Sequence, residues 1–228
     1  MTRRIKLIIF DLDGTLMNAY PAVEASINFT LKELGLPVQN KDKIRRAVGW
    51  GDRQLLARFV EEKKVEGSLK IYRRHHAQAL KTGTRFLPGA KRLIDDLKRK
   101  KYRLALATNR PTKFSLIALK YLKIKKYFDY ILCADKLKHG KPHPQILIQI
   151  LKRLKTKPQE AVYVGDMTID VQTGNRAGVK TVVVLTGSCS PKEIKVLKPF
   201  RMIKRISQLT PIINEHNRNS TQSRRIDE

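Results

Sequence analysis

The sequence is poor in cysteine, tryptophan and acid. Of 228 residues only two are cysteines, Cys133 and Cys189, and one is tryptophan, Trp50. Two cysteines cannot build a disulfide framework, so a packed core must hold the fold, and a reducing, cytoplasmic setting is expected. Long apolar runs are also missing. The longest are strand-length, far short of the ~20 residues that cross a bilayer, so no membrane association is expected. The start, MTRRIKLIIFDLDG, has the basic-then-apolar order of a signal peptide, but acids arrive too early and no small-residue cleavage site follows.

The shortage of acid is the most unusual feature: 20 Asp+Glu face 48 Lys+Arg, a formal net charge of +28. Such a chain attracts anions, whether phosphorylated metabolites, nucleic acid or acidic lipid. The excess is not a basic arm. It lies in helical stretches such as KRKKYR (98–103), KIKK (123–126) and KRLKTK (152–157). This is the pattern of a lysine-rich solvated surface with cations near helix C-termini. No zinc-finger or RNP-like signature accompanies the charge, so nucleic acid is an unlikely partner by sequence.

What is present is an alternation. Apolar, strand-like segments at 5–10, 102–107, 130–133, 161–165 and 179–185 are separated by amphipathic stretches. Ala90, Leu93, Ile94 and Leu97 fall on one helical face, as do Ile146, Leu147, Ile150, Leu151 and Leu154. Strands alternating with helices predict an α/β fold, a Rossmann-like parallel sheet flanked by helices on both faces. Residues 18–82 break the pattern. They carry no strand signal, and three helical stripes (Val23, Ile27, Leu31; Leu55, Leu56, Phe59; Leu69, Tyr72, His76, Leu80) predict an inserted all-helical domain. The expected division is therefore a core of residues 1–17 and 83–213 with a helical insert at 18–82. Hinges are expected at 16–19 and 81–87. SPKE (190–193) reads as a capping box with proline at the first helical position. Residues 214–228 lack apolar periodicity and are expected to be disordered.

Polar residues collect where the strands end. Asp11 and Asp13 follow the first strand, Thr108 and Asn109 the second, and Asp166 the fourth, with Asp170 four residues on. Lys141 lies in the connection after the third. In a parallel sheet these points share one edge, where ligands bind. Crowded carboxylates repel one another, and an oxygen-rich cluster of this kind suits Mg²⁺, which offsets the repulsion. Taken singly, each has a plainer reading: a turn at Asp13 and Gly14, a helix N-cap at Thr108 and Asn109, another cap at Asp166 and Asp170. The histidine pairs His75/His76 and His139/His143 raise a metal site, though packing and surface roles suit them better.

DLDGT (11–15), ATN (107–109), GKPHP (140–144) and GDMTID (165–170) together resemble the four motifs of the haloacid dehalogenase superfamily. The likeness runs over roughly residues 5–205 and is nearest to the phosphoglycolate phosphatase-like group, whose C1-type cap the helical insert resembles. The resemblance implies phosphoryl transfer through an aspartyl-phosphate. Asp11 would be the nucleophile, Asp13 the acid and base, Thr108 and Asn109 donors to the phosphoryl oxygens, and Lys141 the neutralising charge. Mg²⁺ would be held by Asp11, the backbone carbonyl of Asp13, Asp166 and, directly or through water, Asp170. VGWGDRQLL (48–56) resembles the group's substrate-selecting loop, which nominates Trp50 and Arg53 for the leaving group. Asp13 argues against dehalogenation, which needs no second acid. The absence of histidine just after DGT weighs against sugar-phosphate mutase chemistry. Asn18-Ala19 departs from the Asp-Ser frequent in the family. The expected activity is thus Mg²⁺-dependent hydrolysis of a small phosphomonoester, phosphoglycolate-like. The alternatives are a pyrophosphatase, a sugar-phosphate phosphotransferase or mutase, and a catalytically retired protein that binds nucleic acid through its basic surface.

Overall fold

The computed structural model describes residues 3–226, with side chains described to residue 220. Strand β1 (Leu7–Phe10) is followed by a short β2 (Met17–Asn18) and then by four helices: α1 (Tyr20–Glu33), α2 (Lys41–Ala47), α3 (Asp52–Leu56) and α4 (Val65–Gly83). Strand β3 (Arg85–Phe86) closes this insert by pairing antiparallel with β2. The chain then alternates α5 (Ala90–Arg99), β4 (Arg103–Thr108), α6 (Thr112–Tyr121), β5 (Tyr130–Cys133), α7 (Gln145–Arg153), β6 (Ala161–Gly165), α8 (Thr168–Ala177), β7 (Lys180–Val184), α9 (Pro191–Val196), β8 (Arg201–Ile203) and α10 (Leu209–Ile226).

Six of the strands form one parallel sheet in the order β5-β4-β1-β6-β7-β8. Side chains on successive strand residues point to opposite faces, and both faces are covered. Ile8, Phe10, Leu104, Leu106, Val162 and Val164 join Leu93, Leu97, Phe114 and Leu209 in one cluster. Leu7, Ile9, Ala105, Ala107 and Tyr163 join Ile146, Leu147 and Ile150 in the other. This explains why the strands read as continuous apolar runs. The insert has a core of its own, with Val23, Ile27, Ile44, Leu56, Leu69 and Tyr72 among its members.

Three features depart from the sequence expectation. The insert has a fourth helix, α2, whose single buried residue, Ile44, makes no stripe. Strand β8 escaped notice because RMI is short and begins with a charged residue. Of residues 214–228, expected to be disordered, 214–226 are helical as part of α10, and 227–228 lie outside the described residues. Among the described side chains its hydrogen-bonded anchors are polar, so apolar periodicity could not reveal them. Asn217 Oδ1 accepts from the Ile5 amide at 2.7 Å, its Nδ2 donates to Tyr102 Oη, and Ser220 is buried. The capping box is formed, with Ser190 Oγ accepting from Glu193 N. At the first hinge Asn18 Oδ1 accepts from Tyr20 N, which ties the start of α1 to the β2–β3 ribbon.

Candidate active site

Strand β1 lies between β4 and β6, and Phe10 is in register with both Leu106 and Val164. The next residues, Asp11, Ala107–Thr108 and Gly165–Asp166, therefore meet at the carboxyl edge. The chain adds β4 and β5 on one side of β1 and β6, β7 and β8 on the other. That reversal leaves a crevice in which an α/β sheet binds ligands. Glycines make the close approach possible. Gly14 has φ +76°, and a Cβ there would sit 2.2 Å from Asp166 Oδ2; a Cβ on Gly187 would sit 2.3 Å from the same oxygen.

Lys141 organises the centre. Its Nζ donates to Asp11 Oδ1 at 2.7 Å, to Asp170 Oδ1 at 2.8 Å and to Tyr163 Oη at 3.1 Å. The ammonium's three donors are thus all used. Burial alone would disfavour its charge, but Asp11 and Asp170 beside it outweigh that and raise its pKa. Tyr163 Oη donates in turn to Asp170 Oδ1 at 2.6 Å. Asp170 Oδ2 accepts from the amides of Asp166 and Met167, so both its oxygens are occupied. Asp11 feels opposing effects: burial pushes its pKa up, Lys141 pulls it down and Asp170 pushes it up again, to about 7. Burial, then Asp170 and Asp11, raise Asp166 well above the usual carboxylate range.

The three carboxylates fit a divalent cation. Ligand oxygens of Asp11, Asp166 and Asp170 lie within 4.8 Å of one another, and all three residues are buried. Asp166 Oδ1 accepts from Thr15 Oγ1 at 3.0 Å, whereas Oδ2 is buried with no hydrogen-bond partner among the described residues. A buried carboxylate oxygen left without a donor is costly. A hard cation taking carboxylate and carbonyl oxygens resolves that cost and favours the ionised form of each acid. Asp170, with every oxygen already engaged, fits an indirect role better than direct ligation.

The remaining expected residues divide. Thr108 is buried, and its Oγ1 accepts from Arg110 N at 3.2 Å, leaving its proton available for donation. Asn109 does not offer its amide to the site: Nδ2 donates to Gly49 O at 2.9 Å and Lys141 O at 3.0 Å, while Oδ1 accepts from Lys141 N. It docks the helical insert and holds the Lys141 loop. Trp50 is 40% exposed and lines an outer cleft of about 810 Å³ beside His139 and His143; it does not line the adjoining pocket over Asp11, which shares Asn109 and Lys141 with that cleft. Arg53 turns outward to ion-pair with Glu62 and Glu66. Glu62, in the turn before α4, and Glu66, in α4, hold it away from the pocket over Asp11, which motif likeness alone could not foresee.

Two contributors, Arg110 and Tyr163, went unnoticed in the sequence, and a third, His76, was read there as packing. Arg110 grips both oxygens of Asp13 at 2.7 Å, through Nε and Nη2. His76, from α4, is buried against Arg110. Tyr163 props Lys141. Arg110 directly follows ATN at the same sheet edge, and Tyr163 alternates onto the Ile9 face, so position alone could have flagged both. His76 is the one histidine on the buried stripe of α4, which it shares with Leu69, Tyr72 and Leu80.

The pattern of haloacid dehalogenase-like hydrolases matches residues 8–184. A phosphoglycolate phosphatase from Aquifex aeolicus is 31% identical over 212 residues, covering 93% of this chain and 98% of its own. A pyrophosphatase from Bacillus cereus is 28% identical over 94% of this chain and 99% of its own length. The crystal structure of a predicted phosphoglycolate phosphatase from Haemophilus somnus superposes with a TM-score of 0.87 at 27% identity, covering 92% of this chain and 98% of that one. The lysine-bridged aspartates, the sheet edge that carries them and the helical insert over them thus have a common origin: the chain belongs to the haloacid dehalogenase-like hydrolases, in their phosphoglycolate phosphatase-like group.

Proposed function

We propose that this phosphatase hydrolyses a small, compact phosphomonoester of the phosphoglycolate kind, with Asp11 as the nucleophile. The observation that carries this reading is Lys141 Nζ held between Asp11 and Asp170, beside the unpartnered oxygen of Asp166. Lys141 takes Asp11 Oδ1, and Oδ2 accepts no hydrogen bond among the described residues. Asp11 lines the pocket beneath the insert, so Oδ2 is the atom to attack phosphorus. As the Asp11–phosphorus bond forms, the ester oxygen leaves and Asp13 gives it a proton. Water then adds to the same phosphorus, Asp13 takes the water's proton, and inorganic phosphate departs with Asp11 restored. Thr108 donates to a phosphoryl oxygen and Lys141 supplies fixed positive charge, the kind of preorganised stabilisation that dominates phosphoryl transfer. Asp11, the carbonyl of Asp13 and Asp166 would hold Mg²⁺, with Asp170 behind them. When bound, it supplies positive charge that keeps the aspartates ionised and neutralises the phosphoryl oxygens.

The cap bears on the size of the substrate. The pocket over Asp11, walled by Val23, Val48, Leu55 and Tyr72 from the insert and partly open to solvent, has a volume of about 60 Å³. An apolar cavity of ~150 Å³ takes a benzene ring; the smaller volume here favours a leaving group of a few heavy atoms. Substrates are therefore ranked by compactness: phosphoglycolate first, pyrophosphate as the inorganic competitor, hexose phosphates last. Phosphate release from such a panel, with and without Mg²⁺, tests the reading. Preference for a hexose phosphate, or transfer to a sugar exceeding transfer to water, would move the assignment to a larger-substrate enzyme or a mutase.

A further inference from the structure

Asp13 is the acid and base of the proposed reaction, yet both its oxygens accept from a guanidinium that the core alone does not hold in place. Arg110 Nη1 lies 2.9 Å from His76 Nε2. A guanidinium has only donors, so Nε2 accepts and the imidazole proton sits on Nδ1. Nδ1 is 3.1 Å from Ser26 Oγ, which donates to Ala22 O at 2.7 Å. Ser26 Oγ also lies 3.1 Å from His75 Nδ1. Each atom in the chain Asp13–Arg110–His76–Ser26 thereby has a defined role as donor or acceptor. The imidazole cannot rotate freely. It stacks on Tyr72 with centroids 4.8 Å apart and meets Phe114 of α6 edge-on at 5.2 Å. Burial first, then Arg110, hold its pKa down at about 2, so it stays the neutral acceptor this geometry requires.

The chain of contacts crosses the two parts of the molecule. Asp13 and Arg110 belong to the sheet core; His76 belongs to α4 and Ser26 to α1, both in the helical insert. We propose that His76 and Arg110 are a pair of positioning residues through which the seated cap fixes the carboxylate of Asp13, so that the proton-transfer steps depend on cap closure. This rests on Asp13 being the acid and base. Arg110 stays where it is when Asp13 leaves to protonate the ester oxygen, because His76 holds it from the other side. Asp13 returns ionised to that anchor, ready to accept the proton of the attacking water. Both line the pocket beside Asp13, with the guanidinium nitrogens of Arg110 turned to Asp13 and His76.

The dependence can be read by separating the two half-reactions. With acetyl phosphate the leaving acetate is compact and needs no proton, so phosphorylation of Asp11 bypasses Asp13, whereas hydrolysis of the acyl-phosphate does not. The full-length enzyme with Mg²⁺, in excess over this substrate, is followed for acetate and inorganic phosphate separately. His76→Ala should leave acetate release unchanged and slow phosphate release by at least about tenfold, part of the ~10²–10⁴ that positioned proton transfer contributes. His76→Gln, whose amide oxygen can accept from Arg110, should recover most of that loss. Arg110→Lys, which cannot grip two oxygens, should fall between. Equal loss in both half-reactions, or no loss in either, overturns the proposal. Asp13→Asn separates the proposal from the reading beneath it. Normal phosphate release in that variant removes Asp13 from the chemistry. Slow phosphate release in Asp13→Asn together with an unaffected His76→Ala removes only the anchor.

Discussion

Replacing His76 by glutamine should change how stability depends on pH, by an amount the structure allows to be worked out. The side chain is buried with 2% exposure, and its pKa falls from 6.5 to about 2 in the fold. A lowered histidine pKa means that the unfolded chain binds a proton the folded chain refuses. Stability is therefore unaffected above about pH 7.5 and is lost as pH falls below 6.5, continuing toward about 2. At about pH 5, roughly one and a half pH units below the unfolded value, the loss is about 2 kcal/mol at ~1.4 kcal/mol per unit. Glutamine does not titrate, so the variant lacks this component whatever its absolute stability. Urea unfolding of both proteins at about pH 7.5 and pH 5 measures the difference of differences, in which contributions from other groups cancel. Parallel pH dependences would mean that folded His76 takes up the proton, and a protonated ring cannot accept from Arg110.

Gly14→Ala should destabilise the protein and abolish Mg²⁺-dependent phosphate release, because φ is +76° and the new Cβ would meet Asp166 Oδ2 at 2.2 Å; unfolding curves and a Mg²⁺ titration read both effects. Asn109→Ala should lower stability by about 1–3 kcal/mol, since Gly49 O, Lys141 O and Lys141 N lose a partner together, and should slow turnover through the loosened Lys141 loop. Arg53→Ala should leave KM and kcat unchanged, as its partners are the exposed Glu62 and Glu66; a raised KM would return Arg53 to the substrate.

The parts of the fold that were legible in the sequence are those with strong local periodicity. Strands β1, β4, β5, β6 and β7 are buried on both faces, and runs such as LIIF and YILC can hardly serve elsewhere. The helical insert was legible through its 3.6-residue stripes and the missing strands between Asn18 and Thr82. The polar anchoring of α10 was not, since Asn217 bonding to the Ile5 amide is a contact between chain ends that no local pattern encodes. At the site, Asp11, Thr108, Lys141, Asp166 and Asp170 share one neighbourhood because each follows a strand of one parallel sheet, and topology alone brings them together. What the sequence hid were pairings. Asn109 is in the right place, but its amide turns to Gly49 and Lys141. Arg53 is in the expected loop, but Glu62 and Glu66 are nearer. Asp13 carries the expected acid, but Arg110 and His76 come to it from the core and the cap, and nothing in either segment names the other.

The central claim is that Asp11 forms the bond to phosphorus. Asp11→Asn keeps the size of the side chain while removing the nucleophilic charge, and its remaining oxygen can still accept from Lys141. Phosphate release from phosphoglycolate in the presence of Mg²⁺ should vanish in this variant, while acid-quenched wild-type enzyme carries phosphate on the Asp11 peptide. Release at a rate near wild type from Asp11→Asn, or phosphate trapped on a different residue, would contradict the account.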